Sequence, residues 1–153
     1  MYSLRITLRE EVIGKTLNPY LVLSENVAKI IVDRYHQAHK PIVDQETIEG
    51  HSVRAMYLLT SVADLSTIDK QGFGTKYREA LERLWSNMVD RKMYLTGGIG
   101  AIKQWEGFGI PYFLPQGTDE GGCYAETCAG IGIMMMVQRV LQVGASTGHS
   151  PIH

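Results

Sequence analysis

Apolar residues recur at helical spacing in four segments, and this pattern constrains the fold more than any other feature of the chain. Two early segments run from a cap predicted at Ser24 to near His39 and from about Thr47 to Leu65. Their aligned apolar residues are Val27, Ile30, Ile31 and Tyr35 in the first, and Ile48, Val53, Met56, Tyr57, Leu59 and Ala63 in the second. The clearest segment follows a cap at Thr75 and aligns Tyr77, Ala80, Leu81, Leu84, Trp85, Met88 and Val89. A fourth runs from near Glu126 to about Val143, where Gly144 should end it. The sequence therefore predicts a mainly α fold.

A long irregular stretch from Thr96 to Tyr124 separates the third and fourth helices and contains glycines at 97, 98, 100, 107, 109, 117, 121 and 122. Loops of this length are uncommon inside compact domains and are usually functional. The strand pairing that the sequence suggests is one short ribbon between Met93–Leu95 and Tyr112–Leu114. We therefore look for the chemistry in this glycine-rich stretch.

The composition indicates which classes of partner the chain is expected to bind. The 153 residues suit one ordinary domain, and 44% hydrophobic and 20% charged residues are typical of a soluble globular protein. Lysines and arginines are scattered around a formal charge of −1, so we predict no nucleic-acid partner and no membrane partner. The N-terminus lacks the apolar core of a secretory signal, which favours a cytoplasmic location. The longest apolar run, Ile131–Val137, is shorter than the roughly 20 residues of a membrane-spanning helix and predicts a buried helix.

The two cysteines, Cys123 and Cys128, would close a very small ring, so no disulfide is expected. Glu126 and Cys128 place a carboxylate and a thiol two residues apart at a predicted helix start. Such a pair can be half of a zinc shell. It can equally be a favourable charge near a helix N-terminus beside a small core residue.

Two further residues could take part in chemistry. Glu106 lies in the string Trp105-Glu106-Gly107-Phe108, and large aromatic neighbours disfavour the charged form of a carboxyl, as a general acid requires. The alternative is a solvated loop glutamate. His51 follows Gly50 and precedes a largely apolar helix, so it is either a hydrogen-bonded structural histidine or a donor to a sugar hydroxyl. The histidines at 36, 39, 149 and 153 lie in ordinary surface-like contexts.

Several strings occur in a fixed order and together resemble the β-L-arabinofuranosidase family, glycoside hydrolase family 127. They are Gly50–Tyr57, Lys92–Gly100, Glu106–Phe108, Tyr112–Pro115 and Tyr124–Gly132. The resemblance covers about Pro41 to Gln142. It is more specific than any one of the strings, because each must appear in the right order.

The resemblance implies an incomplete (α/α)6 toroid, the six-hairpin glycosidase fold, acting on an L-arabinofuranoside-like carbohydrate. It places Glu106 as the general acid/base, Glu126 and Cys128 as zinc ligands, and His51 as a sugar contact. Family members also use a later pair of adjacent cysteines, which supply the remaining zinc ligands and the nucleophile. This chain ends before that pair, so we expect weak or no zinc binding and no activity from these residues alone.

The resemblance also divides the chain. Residues 1–40 match less clearly, 41–143 form the partial toroid, and 144–153 do not look like family sequence and are expected to be a disordered tail. The stretch between Pro115 and Tyr124 is longer than in bacterial members, and Cys123 has no counterpart, which leaves the glycan open. An incomplete toroid exposes helix faces, so we predict self-association through them.

Two alternatives stay open, so the sequence alone does not decide whether the chain is an enzyme. One is a small helical binding or interaction module that holds zinc through Cys123, Glu126, Cys128 and one histidine. The other is a truncated gene product with no function of its own.

Overall fold

Four α-helices carry the fold in the computed structural model, which describes residues 19–68, 72–116 and 124–147. The helices are α1 (Pro19–Tyr35), α2 (Ser52–Ser66), α3 (Phe73–Arg91) and α4 (Thr127–Thr147). Two short 3₁₀ helices lie at Ile42–Asp44 and Lys103–Trp105. The mainly α prediction with about four helices is confirmed. The tail beyond 147 and Cys123 lie outside the described residues.

Helix α2 lies at the centre and packs against α3 on one side and α4 on the other. Its buried positions follow helical spacing, which places them on faces that the two neighbours cover. The core formed in this way contains Met56, Leu59, Val62, Leu81, Leu84, Met88, Met136 and Val140. Burying each such side chain contributes about 1.5–3 kcal/mol, so the interface of the three helices supplies most of the apolar stabilisation among these residues.

Helix α3 is the best predicted element, because six of its seven aligned residues are fully or partly covered as expected. Ala80, Leu81, Leu84 and Met88 are buried, and Tyr77 and Trp85 pack against the core. On its outer side Arg83 donates from Nε to the carbonyl of Gln45 at 2.9 Å and from Nη2 to that of Val43 at 2.8 Å. These bonds attach the first 3₁₀ segment to α3.

The predicted helix ends are less accurate than the helices. Ser24 and Thr75 lie inside α1 and α3, so neither is the cap that the sequence suggested. Gly72, in the left-handed conformation at φ 77°, precedes α3 instead. Gly144 does not end α4, which continues to Thr147. Glycine weakens a helix interior by about 1 kcal/mol, and this is too little to stop a helix whose preceding turns are packed.

Helix α1 exposes the apolar side that the sequence predicted as a packing face. Val27, Ile30 and Ile31 are each more than half exposed. No described element covers them, and α1 is joined to the rest chiefly at its C-terminal end. There the Arg34 guanidinium pairs with Glu49, and the His51 N–H donates to the carbonyl of Tyr35 at 3.1 Å.

Helix α4 is buried on one face, whereas the sequence predicted that its apolar run Ile131–Val137 would form a buried helix. Met136, Val140 and Val143 face α2, while Met134 and Leu141 are more than half exposed among the described residues. By length and composition alone, Thr127–Gly144 could cross a membrane, and about a third of that window (33%) is buried. A helix packed on one side of a folded core meets the same criteria, so the pattern does not by itself indicate a membrane.

The predicted ribbon between 93–95 and 112–114 is wrong: neither segment is a strand. The two segments are nevertheless neighbours, because the Tyr94 hydroxyl donates to the carbonyl of Pro115 at 3.0 Å. The backbone of Tyr94 is instead used in a tight turn, accepting from Gly97 at 2.8 Å and donating to Gly98 at 2.9 Å. The bridges that do form in the described residues pair Gly107 with His51 and with Ile102.

Candidate active site

The backbone of Glu106 is fixed to the start of α2. Its carbonyl oxygen accepts two hydrogen bonds from Ser52, one from the N–H at 3.0 Å and one from the buried Oγ at 2.7 Å. Glu106 itself adopts the left-handed conformation at φ 54°, which is uncommon for a residue other than glycine. The loop therefore turns at this residue, with its carbonyl directed at the start of α2.

Two glycines allow close backbone approaches beside the site. A Cβ on Gly107 would lie 2.4 Å from the carbonyl oxygen of Gly50, and Phe108 N–H donates to the same carbonyl at 2.9 Å. Gly50 has φ 76°, and a Cβ there would lie 2.3 Å from the carbonyl oxygen of Arg34. No larger residue fits at either position without backbone movement. Gly107 lets the loop approach the residue before His51, and Gly50 lets that residue approach the end of α1.

Two side chains among the described residues contact the Glu106 carboxyl. His51 Nε2 lies 3.3 Å from Oε2, and the Tyr124 hydroxyl donates to Oε1 at 3.2 Å. The side chain remains 47% exposed, so an incoming molecule can reach it. The flanking aromatics predicted as apolar walls are placed differently, since Phe108 is buried in the core and Trp105 lines a neighbouring cavity. The carboxyl therefore contacts an imidazole and a phenol hydroxyl instead of the apolar rings that the sequence predicted.

The His51 side chain contacts the Tyr35 ring and the Glu106 carboxyl. Its ring packs edge-to-face against Tyr35, with centroids 5.5 Å apart, and the Arg54 guanidinium lies 5.7 Å above the same tyrosine ring. The side chain is 13% exposed, and its buried Nδ1 has no hydrogen-bond partner among the described residues. This histidine therefore has a fixed ring with unused hydrogen-bonding capacity, which a structural histidine with both nitrogens satisfied would lack.

Tyr124 connects the two glutamates that the sequence singled out. Its hydroxyl also lies 3.4 Å from Glu126 Oε2, so it stands between Glu106 and Glu126. Partial burial, together with hydrogen bonds to and the charges of both carboxylates, raises the pKa of Tyr124 to about 12. Sequence reasoning did not predict a role for Tyr124, although it precedes Glu126 by two residues. Spacing gave no sign that the glycine-rich loop would bring Glu106 to it.

Glu126 and Cys128 fit half of a zinc site. Glu126 Oε1 is buried without a hydrogen-bond partner among the described residues, which leaves one oxygen available to a cation. Hydrogen bonding to Glu126, then burial, raises the pKa of the nearby Cys128 thiol, and a bound cation would offset that effect. Carboxylate and thiolate are ligands that zinc accepts.

The described residues contain no group of three or more His, Cys, Asp or Glu side chains that could hold a metal. His51 contacts Glu106 instead of the Glu126–Cys128 pair, and Cys123 is not among the described residues. A four-ligand zinc module therefore finds no support in the part of the chain that is described. A zinc site built on Glu126 and Cys128 would need further ligands.

A cavity of about 340 Å³ adjoins the cluster. It is lined by residues next to the cluster in sequence, Gly50 and Trp105, and by Tyr35, which packs against His51. Its lining is mainly apolar, with the paired Arg34 and Glu49 at one side. His51 and Glu106 therefore lie next to this cavity, although their own side chains do not line it. Glu126 is linked to Glu106 through Tyr124, and Cys128 contacts Glu126.

Similarity to known proteins shows the family of this chain. A family model described as the catalytic domain of β-L-arabinofuranosidase, GH127, matches residues 14–149. The chain belongs to this GH127 family. The non-reducing end β-L-arabinofuranosidase of Bifidobacterium longum subsp. longum is 39% identical over 110 residues, which are 71% of this chain and 16% of that protein.

Solved GH127 structures show the same relation. A GH127 β-L-arabinofuranosidase from Geobacillus stearothermophilus T6 superposes with a TM-score of 0.64 at 37% identity, covering 72% of this chain and 16% of that one. A second GH127 β-arabinofuranosidase superposes with a TM-score of 0.64 at 33% identity, covering 82% and 21%. The prediction of an incomplete (α/α) toroid is confirmed. The chain spans about a sixth of the length of the curated relative that it matches.

Proposed function

We propose that this GH127 chain carries the proton-transferring half of a retaining glycosidase site for β-L-arabinofuranosides. The observation that supports it best is the convergence of His51, Glu106 and Glu126 from three separate segments, with Glu106 at 3.3 Å from His51 and linked to Glu126 through Tyr124. A carboxyl that is half exposed and held by polar rings can meet a glycosidic oxygen. The substrate class comes from the relatives.

In this proposal Glu106 first protonates the leaving oxygen and later accepts a proton from water, as the acid/base of a retaining glycosidase does. His51 hydrogen-bonds a sugar hydroxyl through its fixed ring. Glu126 and Cys128 would hold zinc, which when bound supplies positive charge that favours thiolate over thiol. The nucleophile lies outside these 153 residues. We therefore expect residues 1–153 by themselves to be inactive.

The chain alone gives the first test. Purified residues 1–153 should not hydrolyse an aryl β-L-arabinofuranoside, because groups that act as one catalytic unit fail together when part of the unit is missing. Turnover by this chain that Glu106→Gln abolishes would contradict the assignment of the nucleophile to a segment elsewhere.

A chimera gives the second test and restores the missing half. Residues 41–143 would replace the matching segment of the Bifidobacterium longum enzyme, and the chimera should hydrolyse the aryl substrate. Glu106→Gln should then lower kcat by about 10²–10⁴-fold on substrates with poor leaving groups, the usual contribution of a general acid. Glu79→Gln, an exposed carboxylate on α3, is the matched control and should leave kcat unchanged. A folded chimera in which both substitutions have equal effects would refute the role of Glu106.

A further inference from the structure

The hydroxyl of Tyr124 lies between two carboxylates, at 3.2 Å from Glu106 Oε1 and 3.4 Å from Glu126 Oε2. The two glutamates are twenty residues apart in sequence and lie on different elements, the glycine-rich loop and the segment before α4. Tyr124 is the described residue whose side chain touches both. This contact joins the carboxyl proposed for proton transfer to the one proposed for metal binding.

The chemistry of a phenol makes this contact directional. A tyrosine hydroxyl carries one proton, so it donates to one carboxylate oxygen at a time. When Glu126 binds another partner, the Tyr124 hydroxyl can donate its proton to Glu106 alone. When Glu126 has no other partner, the two carboxylates compete for it.

The position of Tyr124 is itself fixed. Gly98 approaches Ala125 so closely that a Cβ on Gly98 would lie 2.7 Å from the Ala125 Cβ. The Lys92–Gly100 segment therefore packs directly against the residue between Tyr124 and Glu126. The tyrosine thus comes from a backbone segment held by a tight contact, and its ring has two side-chain torsions instead of the three of a glutamate.

We propose that Tyr124 is a positioning residue that orients the Glu106 carboxyl and couples it to Glu126. This proposal rests on the proposed function and names a residue for that same site. Glu106 already has its carbonyl fixed by Ser52, but its side chain is half exposed, and ordering such a side chain costs conformational entropy. Tyr124 and His51 each hold one carboxyl oxygen, so together they define the plane of the group.

Carboxyl carbon chemical shifts in the chain labelled at glutamate test the coupling without any metal or substrate. The Glu106 and Glu126 resonances are assigned with Glu106→Gln and Glu126→Gln. Tyr124→Phe removes the hydroxyl alone and should move both resonances beyond the spread shown by the other glutamates. Tyr112→Phe is the matched control, since Tyr112 is 71% exposed, and it should move neither. If Tyr124→Phe moves one resonance or none, the proposal is overturned.

A second variant keeps the test decisive if Tyr124→Phe alters the fold. Glu126→Gln replaces a charged acceptor of the phenolic proton with a weaker, neutral one, so the Glu106 resonance should move although, among the described residues, the contact between the two glutamates runs through Tyr124. An unmoved Glu106 resonance in Glu126→Gln would overturn the coupling. Backbone amide shifts of α2 and α3 report whether either variant keeps its core.

Activity separates positioning from the function itself. In the chimera, Tyr124→Phe should lower kcat about tenfold, the effect of one lost hydrogen bond, and leave KM within about twofold. A purely structural role would change stability without this split. A chimera with no turnover at all would refute the proposed glycosidase function, whereas the glutamate resonances decide the coupling independently of turnover.

Discussion

Packing of α4 on α2 makes a sharp prediction at Gly132. A Cβ added there would lie 2.9 Å from the Cβ of Met56 and 3.2 Å from its Cγ, and Met56 is fully buried. Gly130, one half-turn earlier on α4, has no described atom within 4 Å of an added Cβ. The two glycines thus share a helix and differ in what they face.

Alanine at either position gains helix propensity, worth about 0.5–1 kcal/mol relative to glycine. Gly130→Ala should keep that gain. Gly132→Ala should lose it, because α2 and α4 must separate or Met56 must shift, and overpacking of this kind costs about 1–3 kcal/mol. The propensity cancels in the comparison, so Gly132→Ala should be less stable than Gly130→Ala by about 1–3 kcal/mol.

Urea unfolding followed by circular dichroism at 222 nm measures this difference, and thermal unfolding checks it. For a domain of this size each kcal/mol corresponds to about 2–4 °C in Tm. Equal stabilisation by both substitutions would refute the packing of α4 on α2 through this face.

Two further predictions concern buried groups near the site. Burial lowers the pKa of Lys92, whose ordinary value is 10.5, so the unfolded chain binds more protons than the folded one between the lowered pKa and 10.5. The free energy of unfolding should therefore rise as pH approaches 10.5. Urea titrations at successive pH values measure this rise, and Lys92→Met should lack it. A parallel rise in the variant would count against the buried lysine as its source. Gly50→Ala should destabilise the chain far more than Gly97→Ala in the same unfolding assay. Both glycines have positive φ, and an alanine in the αL conformation costs about 1–2 kcal/mol at either position. A Cβ on Gly50 would also lie 2.3 Å from the Arg34 carbonyl oxygen, whereas a Cβ on Gly97 would have no described atom within 4 Å. Equal losses would show that the clash is relieved by backbone movement.

The sequence predicted α2 and α3 because their apolar spacing is a local property of each segment. It could not predict that the apolar face of α1 would be exposed, since exposure depends on what other elements are present. Val27 and Ile30 have the pattern of a packing face, and no described element reaches them. Periodicity indicates which side of a helix is apolar and leaves its partner unspecified.

The candidate site was predicted unevenly for a similar reason. Glu106, Glu126, Cys128 and His51 carry recognisable chemistry, so a family resemblance was enough to select them. Tyr124 and Ser52 act through contacts that exist only after the loop has folded back onto α2. The glycines that permit this approach were visible as a composition bias, but their individual neighbours were not. The domain boundaries, the zinc ligands and the cellular location stay predictions.

Ser52 holds the carbonyl of Glu106 with both its N–H and its Oγ, so the residue proposed for proton transfer is attached to the first turn of a core helix. Under the proposed function, changes in length elsewhere in the glycine-rich stretch would alter which sugar fits while the backbone of Glu106 stays at the start of α2. Diversification of specificity on this scaffold would accordingly concentrate in residues after Pro115, with the Ser52–Glu106 attachment left intact.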